Sequence, residues 1–378
     1  MMRCTHSFTF LTALCLCPLV GRALAGDRWQ GRSYPPVTGS AAQNTDVFFL
    51  TNTGGGGGAF GRGDIHGQLS DVDFANLKVG YACGYGGVFK SEDGGMTWSR
   101  IKPNGNWQSI QAVSPTDVWL VEGNHPGGLG NVWLWHSVDG GKSWNEVKEL
   151  HGKLAAYGGT GLYCRGALRW VVGGDFTTYR SADGGKTWQA VNFQNLLWGV
   201  YDMAIPGDVP TKQAFTIYML GHQAGVSVTH LVRSDDGGQN WQEVPLPASA
   251  QGGVLTGGRV FFSTSRDGWI AGKSGRCFGT RDGGQTWKDC SLPSDQTVFA
   301  LWFDQLGRGF AAVDNTDWLH LRNAVYMTDD YGAHWVPVLG GFKQISSFCD
   351  LGPDRLWAAG YSPGLVAQDI VAILKRDR

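Results

Sequence analysis

Short apolar runs dominate the hydrophobic pattern of this chain of 378 residues. Each run opens on an aromatic residue, continues through two or three apolar residues and stops at a glycine or another small break. Seven such runs occur, at residues 81–84, 119–123, 170–173, 218–221, 269–272, 310–313 and 357–360. Runs of this length bounded by turn residues predict short strands, and no amphipathic stretch of helical period interrupts them. The pattern therefore predicts an all-β fold.

A box of eight residues follows six of the seven runs. The copies are SEDGGMTW, SVDGGKSW, SADGGKTW, SDDGGQNW, TRDGGQTW and TDDYGAHW, and their third-position aspartates are Asp93, Asp139, Asp183, Asp236, Asp282 and Asp330. These aspartates lie 46, 44, 53, 46 and 48 residues apart, a period that indicates a repeat architecture. Glycine accepts a positive φ, the carboxylate can accept turn N–H groups, and the tryptophan can pack on neighbouring strands. Each box therefore predicts a hairpin turn.

The seventh unit has no box, because the chain ends there. The run Asp46-Val-Phe-Phe-Leu-Thr51 can supply the outer strand that this unit lacks, and such a closure removes exposed sheet edges. Residues 45–378 provide about 48 residues per unit, and 58 glycines with only 17% charged residues suit short strands joined by tight turns. We predict a seven-bladed β-propeller with six box hairpins, closed by the N-terminal strand.

The first 25 residues have the pattern of a secretory signal peptide. Arg3 precedes an apolar run over residues 8–20, and Ala23-Leu-Ala25 forms a cleavage site. Residues 26–44 are interpreted as a flexible leader. We therefore expect a secreted or periplasmic protein without stable membrane insertion.

Charge and spacing limit the partners of the mature chain. Removing residues 1–25 takes away two arginines, which leaves 29 basic and 32 acidic side chains and a net charge near −3. That balance argues against nucleic acid as a partner and favours proteins or carbohydrates.

No two histidines stand at a ligand spacing such as H-x-x-x-H, so neither a metal site nor a cofactor is predicted. We expect a monomer.

Five cysteines remain after cleavage, at positions 83, 164, 277, 290 and 349. In the fifth box, Thr280 and Trp287 flank the turn, so opposed residues of the hairpin have numbers that add up to 567. Cys277 and Cys290 satisfy the same sum and should face each other at disulfide range. We predict a disulfide between them, two buried thiols being the alternative. Cys83, Cys164 and Cys349 are left unassigned.

The boxes resemble the Asp-box repeats of sialidases, xyloglucan hydrolases, sortilin-like receptors and photosystem II stability/assembly-factor-like propellers. The fuller units at residues 69–98 and 259–287 are similar to the last of these families, and the resemblance extends over residues 64–361. It implies a propeller fold and a role as an exported assembly or binding factor. The photosynthetic members present an arginine-rich surface, and the sequence shows no comparable arginine cluster.

The two enzyme families fit less well. Sialidases use three arginines, a tyrosine nucleophile with a glutamate partner and an acid/base aspartate, and of five glutamates here only Glu122 is placed near a central site. Residues 54–60 and 84–91 resemble the start of the xyloglucan hydrolases, but Tyr85 stands where that family has a catalytic aspartate. Inverting hydrolysis needs two carboxylates, so the match fails at its key residue unless another aspartate substitutes.

Candidate site residues collect in the predicted connections opposite the boxes, which are long in units 2, 4 and 6. Such loops often carry recognition on a rigid scaffold. The candidate catalytic residues are Glu122, Asp314 and Asp317; the candidate ligand-binding residues are His125, His222, His230, Trp318, His320 and Arg322. Trp318 would be a stacking platform for a sugar or aromatic ligand. Exposed polar residues without a shared site are the competing interpretation.

The sequence therefore favours a non-catalytic binding or assembly factor. The alternatives are a glycoside hydrolase of xyloglucanase or sialidase type, acting through an aspartate pair on the long-loop face, and a carbohydrate-binding propeller.

Overall fold

A computed structural model describes most of the repeat region. The described residues are 28–33, 45–52, 69–95, 98–103, 105–123, 132–154, 161–172, 178–208, 216–223, 228–314, 323–340, 344–350, 355–362 and 368–376. The expected signal peptide lies outside them. Residues 28–33, within the expected leader, form a strand.

The chain is built from short strands, grouped below by the repeat unit to which they belong. Two strands precede the units: β1 (Arg28–Ser33) and β2 (Thr45–Asn52). Unit 1 contains β3 (Leu69–Phe74), β4 (Gly80–Gly84), β5 (Gly87–Ser91) and β6 (Trp98–Lys102). Unit 2 contains β7 (Trp107–Ala112), β8 (Val118–Glu122), β9 (Trp133–Ser137) and β10 (Asn145–Glu146). Unit 3 contains β11 (Gly161–Arg165), β12 (Leu168–Val172), β13 (Thr178–Ser181) and β14 (Gln189–Ala190).

The remaining units follow the same plan. Unit 4 contains β15 (Gly199–Ala204), β16 (Ile217–His222), β17 (Thr229–Ser234) and β18 (Gln242–Val244). Unit 5 contains β19 (Arg259–Phe262), β20 (Gly268–Ala271), β21 (Cys277–Thr280) and β22 (Lys288–Asp289). Unit 6 contains β23 (Val298–Phe303), β24 (Gly309–Val313), β25 (Asn323–Thr328) and β26 (Val336–Gly340). Unit 7 contains β27 (Gln344–Asp350), β28 (Arg355–Ser362) and β29 (Gln368–Arg376).

Helical structure is confined to short turns in the part of the chain that the structure describes. They are 3₁₀ turns at Lys148–Leu150, Ala248–Ala250 and Lys273–Gly275. No helix among these residues has the length and apolar character needed to cross a membrane.

Within each unit, consecutive strands pair antiparallel. The described strands form six sheets: units 2 to 6 are separate four-stranded sheets, and the sixth sheet has nine strands in the order β27-β28-β29-β2-β1-β6-β5-β4-β3. In that sheet β2 pairs with β29, and β1 pairs with both β2 and β6. Units 1 and 7 therefore share one sheet through the two N-terminal strands.

The first strands of the units stand next to one another around a common axis. β3 contacts β7, β7 contacts β11, β15 contacts β19, β19 contacts β23, β23 contacts β27, and β27 contacts β3. The Tyr163 hydroxyl of β11 donates to Asp202 of β15, which links the remaining pair. Radial sheets around an axis define a propeller, so the all-β propeller fold is confirmed. The count of seven blades and closure by the N-terminal strand stay predictions.

The boxes form the predicted turns between the third and fourth strands of units 1 to 6. In the third box, Ser181 Oγ donates to Asp183 Oδ1 (2.7 Å) and accepts the N–H of Gly185 (2.8 Å). Asp183 also accepts the backbone N–H and the hydroxyl of Thr187, at 3.0 and 2.6 Å. Each box hydroxyl makes the same pair of bonds, with the box aspartate and with the N–H of the fifth box residue.

The two sequence repeats, the aromatic-led apolar runs and the boxes, contact each other between neighbouring units. The aromatic residue on the second strand of one unit packs under the box of the next. Trp119 lies under Gly185, Trp170 lies under Gly238, and the Tyr218 hydroxyl donates to the Gly283 carbonyl at 3.2 Å. Trp357 of unit 7 lies under Gly95 of unit 1, so the same contact joins the last unit to the first. We call this contact the box–aromatic lock.

The hydrophobic core is divided among the interfaces between neighbouring units. Between units 7 and 1, for example, Trp357 stacks on Phe74 with ring centroids 5.2 Å apart and meets Trp98 edge-on. Because both faces of the second strands are covered, β4, β20 and β24 are buried along their whole length. This packing holds the first strand of each unit, which we call the inner strand, around the axis.

Candidate functional site

A cavity of about 490 Å³ lies on the axis between the inner strands. We call it the channel. Its size suits a small ligand or a chain segment. The inner strands of five units carry a β-bulge, and the extra residue at each bulge lines the channel. These residues are Ser70, Gln108, Tyr201, Phe299 and Ser346. A bulge redirects a side chain locally, so the bulges determine which groups face the channel.

Three aspartates of the inner strands tie neighbouring units together. Asp71 Oδ2 accepts the hydroxyl of Ser109 (2.9 Å) and the N–H of Ile110 (3.0 Å), both on β7. Asp73 Oδ2 accepts the N–H of Ala112 at 2.7 Å. Their second oxygens accept the N–H of the following residue on their own strand. Both carboxylates therefore bridge β3 and β7.

Asp202 makes the equivalent tie farther around the ring. Its Oδ1 accepts the hydroxyl of Tyr163 from β11 (2.6 Å), and its Oδ2 accepts the N–H of Val260 from β19 (2.9 Å). The Arg259 guanidinium lies close enough to attract this carboxylate, while its Nε donates to the Phe299 carbonyl at 2.6 Å. One aspartate thus connects three successive inner strands.

Burial raises the pKa of all three aspartates. The pKa of Asp71 rises to about 6, because the loss of hydration outweighs its bonds to Ile110 and Ser109. For Asp73 and Asp202 the direction and the main cause are the same. Desolvation disfavours the charged form of a carboxyl group. The narrow channel removes most of the water around these groups, although each is only half-buried by surface exposure.

These aspartates are not among the site residues predicted from the sequence. The available signal was the alternation in Asp71-Val-Asp73, which puts two carboxylates on one face of a strand. What the chain alone does not show is that this face borders the axis, because that depends on the neighbouring unit. The three residues are the main ionisable groups that the structure adds to the predicted set.

Glu122, a predicted catalytic residue, lies at the end of β8. Its Oε2 accepts the indole N–H of Trp135 at 2.9 Å. The Lys102 ammonium group stands 4.8 Å from the Trp107 ring and 4.6 Å from the Trp135 ring. Burial raises the pKa of Glu122 and lowers that of Lys102. Glu122 therefore belongs to an aromatic cluster between units 1 and 2.

The structure separates the two predicted histidines that it describes. His222 stacks on Tyr201 (5.1 Å between ring centroids) beside Trp198. His230 Nδ1 lies 2.7 Å from Glu243 Oε1 on the outer strand. In the register of β16 and β17, His222 pairs with Thr229 and His230 with Gly221. Because opposed residues share a face and neighbours alternate, the two imidazoles point to opposite faces of the sheet.

Asp314 follows β24, and its backbone N–H donates to the Thr297 carbonyl at 2.9 Å. The other predicted site residues, Asp317, His125, Trp318, His320 and Arg322, lie outside the described residues. Among the residues that the structure does describe, no group of three or more histidine, cysteine or acidic side chains is arranged to hold a metal ion.

The predicted register of the fifth hairpin is confirmed. Phe278 pairs with Asp289 and Gly279 with Lys288, so Cys277 stands opposite Cys290. Their sulfur atoms are 3.3 Å apart, and both residues are thiols in the structure. The disulfide between them stays a prediction.

Together the hairpins, the radial sheets and the channel define the class: the chain is an Asp-box repeat β-propeller. The BNR/Asp-box repeat model matches residues 179–190. The chain also resembles the photosystem II assembly-factor propellers, since the model described as Photosynthesis system II assembly factor YCF48 matches residues 192–340. No curated protein matches the chain.

Solved structures share the fold at low identity. A structure of YCF48 bound to D1 peptide is 15% identical, covering 94% of this chain and 97% of that one, with a TM-score of 0.59. YCF48 from Cyanidioschyzon merolae is 15% identical, covering 82% and 95%, also at 0.59. The GH74 xyloglucanase from Xanthomonas campestris is 14% identical, covering 80% of this chain and 54% of that one, at 0.57.

Proposed function

We propose that this protein is an exported, non-catalytic propeller that binds a protein partner and acts as a binding or assembly factor. The observation that carries the proposal is that the channel carboxylates are fully engaged in hydrogen bonds. Both oxygens of Asp71, Asp73 and Asp202 accept hydrogen bonds from the inner strands. Groups committed in this way hold the scaffold together, whereas an acid/base residue must reach a substrate.

The family resemblance supports a protein as the partner. The YCF48 model matches residues 192–340, and YCF48 itself has been solved with a D1 peptide. A mature net charge near −3 is compatible with many protein partners and unfavourable for nucleic acid. The signal-peptide pattern over residues 1–25 supports export to the periplasm or the medium, and we expect the exported chain to be a monomer.

We further propose that the ring has seven blades, with β2 as the outer strand of the last. The pairing of β2 with β29 supports this arrangement, as does the contact of β27 with β3. Trp357 under the first box makes the last junction equivalent to the others. On this view the nine-stranded sheet is two blades joined through β1.

Glycoside hydrolysis is the second candidate, and Glu122 is the observation that favours it. A carboxyl group with a raised pKa beside tryptophan rings can serve as a general acid. GH74 enzymes share the fold, although the chain spans only about half of the xyloglucanase. Such an enzyme would need a second carboxylate, for which Asp314 and Asp317 are the candidates.

Glycan turnover by the mature chain, residues 26–378, separates the two functions. We expect no release of reducing ends from xyloglucan, arabinan or sialosides. Release that disappears in Glu122→Gln, whose amide still accepts the Trp135 N–H, and persists in Glu243→Gln would contradict the binding function. If the chain binds glycans without turnover, and the Trp318→Ala variant no longer binds them, the protein would instead be a carbohydrate-binding propeller.

Partner capture tests the binding function directly. Immobilised wild-type chain is compared with a double variant that narrows the channel, Ser70→Arg with Gln344→Arg, since both residues line it. The matched control is Gln242→Arg with Gln285→Arg on the exposed outer strand and box. We expect one protein to be retained by the wild type and the control and lost from the channel variant. Equal retention by all three would place binding elsewhere on the surface.

A further inference from the structure

The thiols of Cys277 and Cys290 form an isolated pair next to the fifth box. Cys277 is the first residue of β21, the third strand of unit 5, and Cys290 directly follows the two-residue outer strand β22. The Cys290 N–H donates to the Cys277 carbonyl at 2.9 Å, and the two sulfur atoms are 3.3 Å apart. Cross-strand side chains at opposed positions are within reach of a disulfide with small movements.

The pair also lies beneath the junction with the next unit. The Trp335 indole N–H of the sixth box donates to the Cys290 carbonyl at 2.8 Å. A Cβ atom added to Gly332, in the same box, would lie 3.2 Å from Cys290 Cβ. The backbone of Cys290 is therefore bonded on both sides, through its N–H to its own hairpin and through its carbonyl to the neighbouring box.

We propose that this pair is a two-step redox site, in which Cys290 attacks an incoming disulfide and Cys277 resolves the product. The Cys290 thiol first loses its proton, and its sulfur attacks one sulfur of the incoming disulfide, releasing one thiolate. The Cys277 sulfur, after losing its own proton, attacks the sulfur of Cys290 and releases the second thiolate. The pair is oxidised by two electrons and the incoming disulfide is reduced to two thiols.

The order of attack follows from the surroundings of the two sulfurs. Cys277 is 0% exposed and Cys290 is 7% exposed. Cys290 directly follows β22, the edge strand of its sheet, whose Lys288 and Asp289 side chains are both exposed, so a reagent approaching from this edge reaches Cys290 before Cys277. The hydrogen bond with Cys290 and burial raise the pKa of Cys277 well above its ordinary value. A thiol with a raised pKa is a poor first nucleophile, and Cys277 has only to react with a neighbour.

The other three cysteines of the mature chain provide an internal control. Burial raises the pKa of Cys83, Cys164 and Cys349. Cys83 is buried in the second strand of unit 1, and Cys349 Sγ points to Asp73 Oδ1 at 3.5 Å. None of these contacts brings a second thiol within bonding range, so we expect all three to remain thiols while the pair reacts.

The test is incubation of the reduced mature chain with oxidised glutathione, followed by peptide mass mapping. The wild type should lose two hydrogens and yield a linked Cys277–Cys290 peptide. Cys277→Ser should stop at a glutathione adduct on Cys290, whereas Cys290→Ser should give about tenfold less adduct on Cys277. The variant Cys83→Ser with Cys164→Ser and Cys349→Ser should behave as the wild type does.

Two results would overturn the proposal: an adduct that forms faster on Cys277 than on Cys290, or linkage of any other pair in the folded protein. A measurement on the unmodified sequence covers the case in which a variant does not fold. Brief exposure of the wild type to glutathione followed by alkylation should trap the adduct on Cys290 first. The proposal does not depend on the partner, and failure of partner capture would leave it standing.

Discussion

The box aspartates and the channel aspartates are the same residue type, but their surroundings shift the pKa of the carboxyl group in opposite directions. Asp139 and Asp282 stand in exposed turns, where hydroxyl and backbone N–H donors of the box lower their pKa to about 2. Asp71 stands in the channel, where burial raises its pKa to about 6 despite three hydrogen bonds. At the boxes hydrogen bonding outweighs desolvation, and in the channel desolvation outweighs hydrogen bonding.

The difference separates two kinds of stabilisation in one fold. A box makes its bonds within eight residues and repeats them around the ring. A channel tie links residues 39 positions apart, as from Asp71 to Ile110, and exists only after two units have docked. Local turns thus shape each unit, while the channel ties and the box–aromatic lock hold the units together.

The largest expected effect on stability comes from a substitution that disrupts the box–aromatic lock but removes no hydrogen-bonding group of the turn. Gly185 has φ +90°, and an added Cβ would lie 2.2 Å from a ring carbon of Trp119. Gly185→Ala should lower the free energy of unfolding by about 4 kcal/mol, from left-handed strain plus displacement of the buried ring. The measurement is equilibrium unfolding in urea.

The preceding glycine gives a matched control for that prediction. Gly184 has φ +79°, and nothing lies within 4 Å of an added Cβ. Gly184→Ala should therefore show the strain alone, about 1 kcal/mol. Equal losses in the two variants would mean that the packing of Trp119 under the third box contributes little, and the lock would lose its energetic role.

The second prediction concerns the channel and its dependence on pH. The folded pKa of Asp71, about 6, exceeds the ordinary value of 3.8, so the folded state binds the proton more tightly. The contribution of Asp71 to the free energy of unfolding is complete below pH 4 and is lost as pH rises through about 6. The loss amounts to at most about 3 kcal/mol. Asp71→Asn should remove that part of the decline between pH 4.5 and 7.

The slope, rather than the absolute stability, is the quantity to compare. An amide at position 71 changes the bonds to Ser109 and Ile110 at every pH, which gives a constant offset. Asp329→Asn, at an exposed box position, is the control and should leave the wild-type slope unchanged. An unchanged slope in Asp71→Asn would show that the channel carboxyl is hydrated in the folded protein.

The same distinction decides what the sequence could reveal. The boxes, the short strands and the register that faces Cys277 to Cys290 were predictable, because each depends on a few neighbouring residues. The hydrogen bonds of Asp71 and Asp202 to other inner strands were not predictable, because their partners belong to other units. The bulges that determine which side chains of the inner strands face the channel also have no local sequence motif. For the same reason the sequence grouped His222 with His230, although the strand register directs them to opposite faces.

The smallest expected effect belongs to an exposed box aspartate, and its sign is opposite to that of the channel. The pKa of Asp139 is lowered to about 2, chiefly by the Ser143 hydroxyl and N–H. The stability that it contributes is present above pH 4 and is lost as pH falls through about 2. Melting temperatures of wild type and Asp139→Asn should therefore differ at pH 7 and converge toward pH 2.

Lys142→Gln, at an exposed position of the same box, is the matched control and should leave the decline in stability of the wild type at acid pH unchanged. The gap between wild type and Asp139→Asn should be smaller than either effect above, because water and salt screen exposed charges. A gap that widened on acidification would mean that the protonated carboxyl holds the turn better than the carboxylate. The opposition between box and channel aspartates would then rest on the channel alone.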